Sequence, residues 1–130
     1  MTSEAYPCRR HHVEPCRATV VAVRRVILES PYAANDKHTI EEHIAYARRA
    51  LLDSLRRNEA PLASHLIYTQ ALDDGVPAER ALGLSAGHAW IAVAEAMVCY
   101  VDLGVSRGMQ AAIDAATAVG LPVEHRRIGA

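Results

Sequence analysis

A chain of 130 residues is long enough for one domain with a hydrophobic core of its own. With 51% apolar and 22% charged residues and a formal net charge of −1, it lacks the basic excess that holds nucleic acids or anionic membranes. Aromatic residues make up 5%, with no Phe and one Trp, which argues against stacking platforms for single strands, and no apolar run approaches the roughly 18 residues of a membrane span.

Met1 to Arg17 is polar and basic and has no signal-peptide apolar segment. Three cysteines form no disulfide framework, so a cytoplasmic location is expected. Residues 1–18, with Pro7, Pro15 and the run Arg9-Arg10-His11-His12, show no period and are predicted to be a flexible basic arm. Cys8, His11, His12 and Cys16 fit no standard zinc spacing, and neither a metal site nor a cofactor is expected. Residues 19–130 are expected to form a single domain.

Thr19 to Glu29 is rich in β-branched residues, with a buried strand at Val26 to Leu28 and a break at Ser30-Pro31-Tyr32-Ala33. Thr39 to Arg57 reads as a helix, opened by the capping box Thr39/Glu42. Ile40, Ile44, Ala47, Leu51 and Leu55 lie at helical spacing, with His43 as an exposed polar residue. Ala60 to Ser64 reads as a second strand, with Ser64-His65 at its end, and Leu66 to Gly75 as a loop. Pro77 starts the next helix, which runs to about Ala94 with Glu79 in its first turn. Its small residues Gly83, Ala86, Gly87 and Ala89 imply close packing on the sheet or on another subunit.

Met97 to Val101 is a buried strand, followed by a polar loop and an alanine-rich helix opening at Ser106. A turn at Gly120-Leu121-Pro122 leads to a last strand. Ser106 can cap the helix, Arg107 can supply a charge-assisted contact, and Gly108 lets the backbone approach a ligand. Free N–H groups and the positive dipole end favour an anion there.

The alternating order predicts an α/β chain: a compact flavodoxin/Rossmann-like three-layer fold with a small parallel sheet of about four to five strands. In such sheets the ligand crevice lies outside the strand C-termini. There Ser30-Pro31-Tyr32, Ser64-His65 and Asp102 to Gly108 should meet around a small anionic molecule.

From about residue 26 onward the chain resembles the nucleoside 2-deoxyribosyltransferase-like family, which includes nucleotide N-glycosidases. The resemblance is to a branch of small bacteriophage and bacterial proteins. It rests on ILESPYA, the 39–57 helix, APLASHLIYTQALDD with PAERALG, HAWIAVAEAMVCYVDLG, SRGM, and A-x-x-x-G-x-P at Ala116 to Pro122, in that order. It implies a doubly wound α/β fold, a homodimer or higher homo-oligomer, and a nucleotide or nucleoside as small-molecule partner, with no nucleic acid or membrane. The implied activity is cleavage or exchange of an N-glycosidic bond, with Tyr32 in the first loop and Ser106 and Gly108 in the phosphate loop.

The two acids that the resemblance implies are absent: the glutamate falls on Ala112 and the aspartate on Gly87. Asp102, at a strand end, is the best-placed substitute, or else a turn-forming residue that bonds local backbone. Asp73, Asp74 and Glu79 either fold over the site or cap the helix that Pro77 starts, while Asp114 should point away at helical spacing. His65 is a candidate acid or base, or a structural histidine. Ser30, Pro31, Ser64 and Met109 complete the expected binding set. Besides a glycosidase, the pattern fits a catalytically inactive nucleotide sensor or sequestering protein, or an assembly role with a vestigial pocket.

Overall fold

The computed structural model describes residues 22–129. The expected N-terminal arm and the residues Cys8, His11, His12 and Cys16 lie outside the described residues. Strand β1 is Arg24–Glu29, followed by helix α1 at Ile40–Arg56 and strand β2 at Glu59–Leu62. Helix α2 at Ser64–Ile67 runs on into a 3₁₀ turn at Tyr68–Gln70, and α3 at Pro77–Ala89 into another at Trp90–Val93. Strand β3 is Ala96–Tyr100, helix α4 is Arg107–Ala118 and strand β4 is Val123–Arg126.

The four strands form one sheet in the order β2-β1-β3-β4, with every neighbouring pair parallel. Helices cover both faces, which gives the three-layer α/β architecture of flavodoxin/Rossmann-like folds. Side chains alternate across each strand, so β1 feeds two cores. Val26 and Leu28 pack with Val98, Tyr100, and Tyr46 and Ala50 of α1. On the other face Ile27 packs with Met97, Cys99, and Met109, Ala112 and Ala116 of α4. Burying a side chain such as Leu28 or Met97 stabilises the fold by about 1.5–3 kcal/mol.

Local signals set the helix ends. The Thr39 Oγ1 accepts the Glu42 N–H at 3.1 Å, and Glu42 Oε1 accepts the Thr39 N–H at 2.8 Å. At the end of α4, Gly120 has φ +78°; its N–H reaches the Thr117 carbonyl, and the Leu121 N–H reaches that of Ala116. That pair of bonds is a Schellman closure, and the left-handed φ makes glycine the favoured residue there.

Two sequence expectations change. Helix α1 buries His43, Tyr46, Ala47, Ala50 and Ser54, whereas Leu55 is exposed. His43 is fully buried, its Nδ1 donating to the Tyr32 carbonyl at 3.1 Å, because small Ala47 and Ala50 bring α1 close to the sheet. The segment after β2 is not a loop. Ser64 starts α2, where Leu66 N–H bonds the Ala63 carbonyl and the Thr69 hydroxyl bonds the His65 carbonyl.

On the α1 side, Arg126 and Glu59 form a buried ion pair, with Arg24, Ser54, Tyr100 and Glu124 bonded to it. The Arg126 guanidinium holds the Glu59 carboxyl down at about 2. Edge strand β2 carries Pro61, paired with Val26. Among the described residues no helix is long and apolar enough to cross a membrane.

Candidate functional site

A cavity of about 460 Å³ opens at the C-terminal ends of β1 and β2 and beside the start of α4. That volume is in the range of small-molecule sites. Its walls come from four segments: the end of β1 and the loop after it, α2, α3, and the first turns of α4. Parallel strands end on one edge, so the short segments that follow them are brought together there.

The α4 wall combines a capped helix start with basic side chains. Ser106 caps the helix, its Oγ accepting the Met109 N–H at 3.2 Å, while the Met109 sulfur accepts the Ser106 N–H at 3.4 Å. The first N–H groups of the helix, from Arg107 and Gly108, have no acceptor within it and lie at the positive dipole end. Arg107 lines the cavity, and so does Arg80 of α3. An Arg80 guanidinium nitrogen stands 3.7 Å from where a Gly108 Cβ would be. Arg80 also bonds Asp74 at 2.8 Å.

The same cavity carries titratable groups of another kind. Glu29, the last residue of β1, lines the cavity, and burial pushes its carboxyl up to about 8. No described side chain bonds that carboxyl. Beside it, Ser30 Oγ and His65 Nε2 lie 2.7 Å apart. Burial pushes His65 down to about 4, so its ring is neutral at neutral pH. The His65 Nδ1 and the Nε2 of His88, both on cavity-lining residues, are buried without a partner among the described residues. Buried polar atoms normally find partners, so such atoms around a cavity point to a ligand or water there. Tyr32 and Tyr68 line the same cavity.

The structure brings together Tyr32, Ser30, Ser64, His65, Ser106, Arg107, Gly108 and Met109, all on the cavity wall. Asp74 and Glu79 line it too, but both are engaged: Asp74 with Arg80, and Glu79 with the Asp73 N–H at 2.6 Å. Pro31 is buried behind the wall, and Asp73 accepts the Gly75 N–H at 2.9 Å instead of facing the cavity. Asp102 needs correction as the site carboxylate. It accepts the Tyr46 hydroxyl at 2.5 Å, the Ile128 N–H at 2.9 Å and the Gly129 N–H at 3.1 Å. Those bonds tie the C-terminal segment to α1, away from the cavity. Asp114 is exposed and bonded to Gln110.

Gly87 and Ala112 both line the cavity. A Cβ at Gly87 would meet Ser64 Oγ at 2.7 Å, so α2 and α3 pack in direct contact there. Sequence reasoning missed Glu29, Arg80 and His88. Glu29 carried a readable signal: an acid closing a buried parallel strand, directly before the Ser-Pro break.

No curated protein matches the chain. A family model does match, over residues 24–126, which is the span from the first residue of β1 to the last of β4. The chain therefore belongs to the family described as a domain of unknown function, DUF7768.

Proposed function

We propose that the cavity binds a nucleotide or nucleoside and that the protein cleaves its N-glycosidic bond. The observation that carries this reading is that one cavity holds two kinds of group. The first is the N-terminus of α4 with Arg107 and Arg80; the second is an unbonded carboxyl at Glu29 with a neutral His65. A 5′-phosphate suits the first. The second offers a proton donor where a base would leave, with Tyr32 and Tyr68 as flat walls for a ring. The order of motifs, which resembles that of the nucleoside 2-deoxyribosyltransferase-like family, supports the same reading.

The test is chromatography of the purified protein after incubation with ribo- and deoxyribonucleoside 5′-monophosphates and with the free nucleosides. Release of free base from one class is expected, and Arg107→Ala should raise KM more for the phosphorylated substrates than for nucleosides. No release from any of them, over long incubation with excess protein, defeats the enzymatic reading.

A second reading draws on Gly87 and Ala112, where cavity-lining positions carry no acid. In it the protein senses or sequesters a nucleotide without turning it over. Micromolar binding of a nucleoside monophosphate with no base released, weakened by Arg107→Ala, would select it.

A further inference from the structure

Among the described residues three carboxylates line the cavity, and two of them already have partners: Asp74 is paired with Arg80, and Glu79 holds the Asp73 backbone. Glu29 is the third. Strand alternation puts it on the face of Ile27, and the parallel register sets it opposite Cys99. That face is the one α4 covers with Met109, Ala112 and Ala116. Ala112, with its single methyl, and Gly87 border the same cavity that Glu29 lines. An unpaired, desolvated carboxyl is costly to keep, and such groups concentrate where chemistry is done.

We propose that Glu29 is the general acid of this cavity, giving its proton to the departing base of a bound nucleotide or nucleoside; this rests on the N-glycosidic reading above. The bond from C1′ to the base nitrogen breaks and its electron pair stays on the base, which takes the Glu29 proton. Water then adds its oxygen to C1′, and the water proton returns to the Glu29 carboxylate. One water is consumed, free base and sugar are released, and the carboxyl is restored. Bond rupture through an oxocarbenium-like state comes first and limits the rate, so the observed rate reports proton donation and not the later uptake of the water proton.

The surroundings keep the proton on Glu29 at neutral pH. Cys99 across the register stays a thiol, pushed up to about 12 by burial, and His65 from α2 stays neutral. Arg80 on α3 is held by Asp74, and Glu79 by the loop, while Arg107 belongs to the α4 end and His88 carries an unpartnered nitrogen. Burial is the cause that raises the Glu29 carboxyl to about 8.

The test compares a nucleoside 5′-monophosphate with 4-nitrophenyl 2-deoxyriboside 5′-phosphate, whose phenolate leaves without needing a proton. Glu29→Gln in the full chain should slow base release from the nucleotide by roughly 100- to 10,000-fold. It should leave nitrophenolate release and nucleotide Kd within a few-fold of wild type, and Glu29→Asp should recover part of the lost rate. In the wild type, kcat on the nucleotide should fall about tenfold per pH unit above pH 8, with the nitrophenyl rate flat, a comparison that needs no variant. If Glu29→Gln slows both substrates alike or neither, or the wild-type rates on the two fall together, Glu29 is not the acid. The glycosidase reading then still stands on the wild-type release. If the wild type releases no base from any nucleotide or nucleoside, that reading falls and the assignment of Glu29 falls with it.

Discussion

Arg126 on β4 and Glu59 on β2 are joined by two parallel hydrogen bonds, of 2.8 and 2.7 Å, although β1 and β3 lie between their strands. The sheet's twist brings these side chains together beneath α1, where Ser54 adds a bond to the same carboxylate at 2.7 Å. Their side chains are only 8% and 5% exposed, so neither charge can turn to water if the other is removed. Arg126→Met should therefore cost about 3–5 kcal/mol in urea unfolding at pH 7, and adding Glu59→Leu should recover much of it.

Acid should expose the same pair. Glu59 sits at about 2 in the folded state against an ordinary 4.5, so its stabilisation is complete above pH 4.5 and is lost as pH falls towards 2. The unfolding midpoint of Glu59→Gln should be lower than wild type at pH 7 and lose less on going from pH 4.5 to 2.

Glu29 works in the opposite direction. Below pH 4.5 both folded and unfolded chains hold its proton, and it affects nothing. Between 4.5 and about 8 the unfolded chain releases the proton while the folded one keeps it, so the folded state is progressively penalised. Glu29→Gln should match wild type in Tm at pH 4 and be more stable above pH 8, by on the order of 2–4 kcal/mol.

His65 supplies a third, separable window. Its folded value of about 4 lies below the ordinary 6.5, so the unfolded chain takes up a proton first and stability falls as pH drops from 6.5 to 4. His65→Gln should flatten that limb between pH 6.5 and 4.5, above the range in which Glu59 titrates.

Gly87→Ala tests the contact of α2 with α3. The new Cβ would stand 2.7 Å from Ser64 Oγ and 3.2 Å from Ser64 Cβ, and the expected cost is about 1–3 kcal/mol in thermal or urea unfolding. Removing the hydroxyl with Ser64→Ala should relieve part of it in the double variant, a coupling readable in a mutant cycle.

Elements with their own punctuation could be read from sequence: the Thr39 and Ser106 caps, Pro77 at the start of α3, and the turn at Gly120. The buried stripe of α1 could not. His43 and Ser54 are buried because Tyr32 and Glu59, which lie outside the helix on either side of it, meet their polar atoms. The carboxyl at the end of β1 that lines the cavity could not be picked out for a related reason. A parallel strand buried on both faces shows no alternation of polarity, so nothing in the pattern says which face its end residues share. Only the register shows that Glu29 lies on the α4 side, while Asp102 is captured by Tyr46 and the C-terminal backbone.

Pro61 bears on how these molecules behave when crowded. An outermost strand offers unpaired N–H and C=O groups on which another chain can build, and β2 is such a strand, four residues long. Proline brings no N–H, so it removes one of the few donors a strand of that length presents. A neighbour that tried to extend the sheet past β2 would find an interrupted template. Pro61→Val should restore the missing donor, and with it a greater tendency to form β-rich aggregates on prolonged warming at high concentration, read by light scattering.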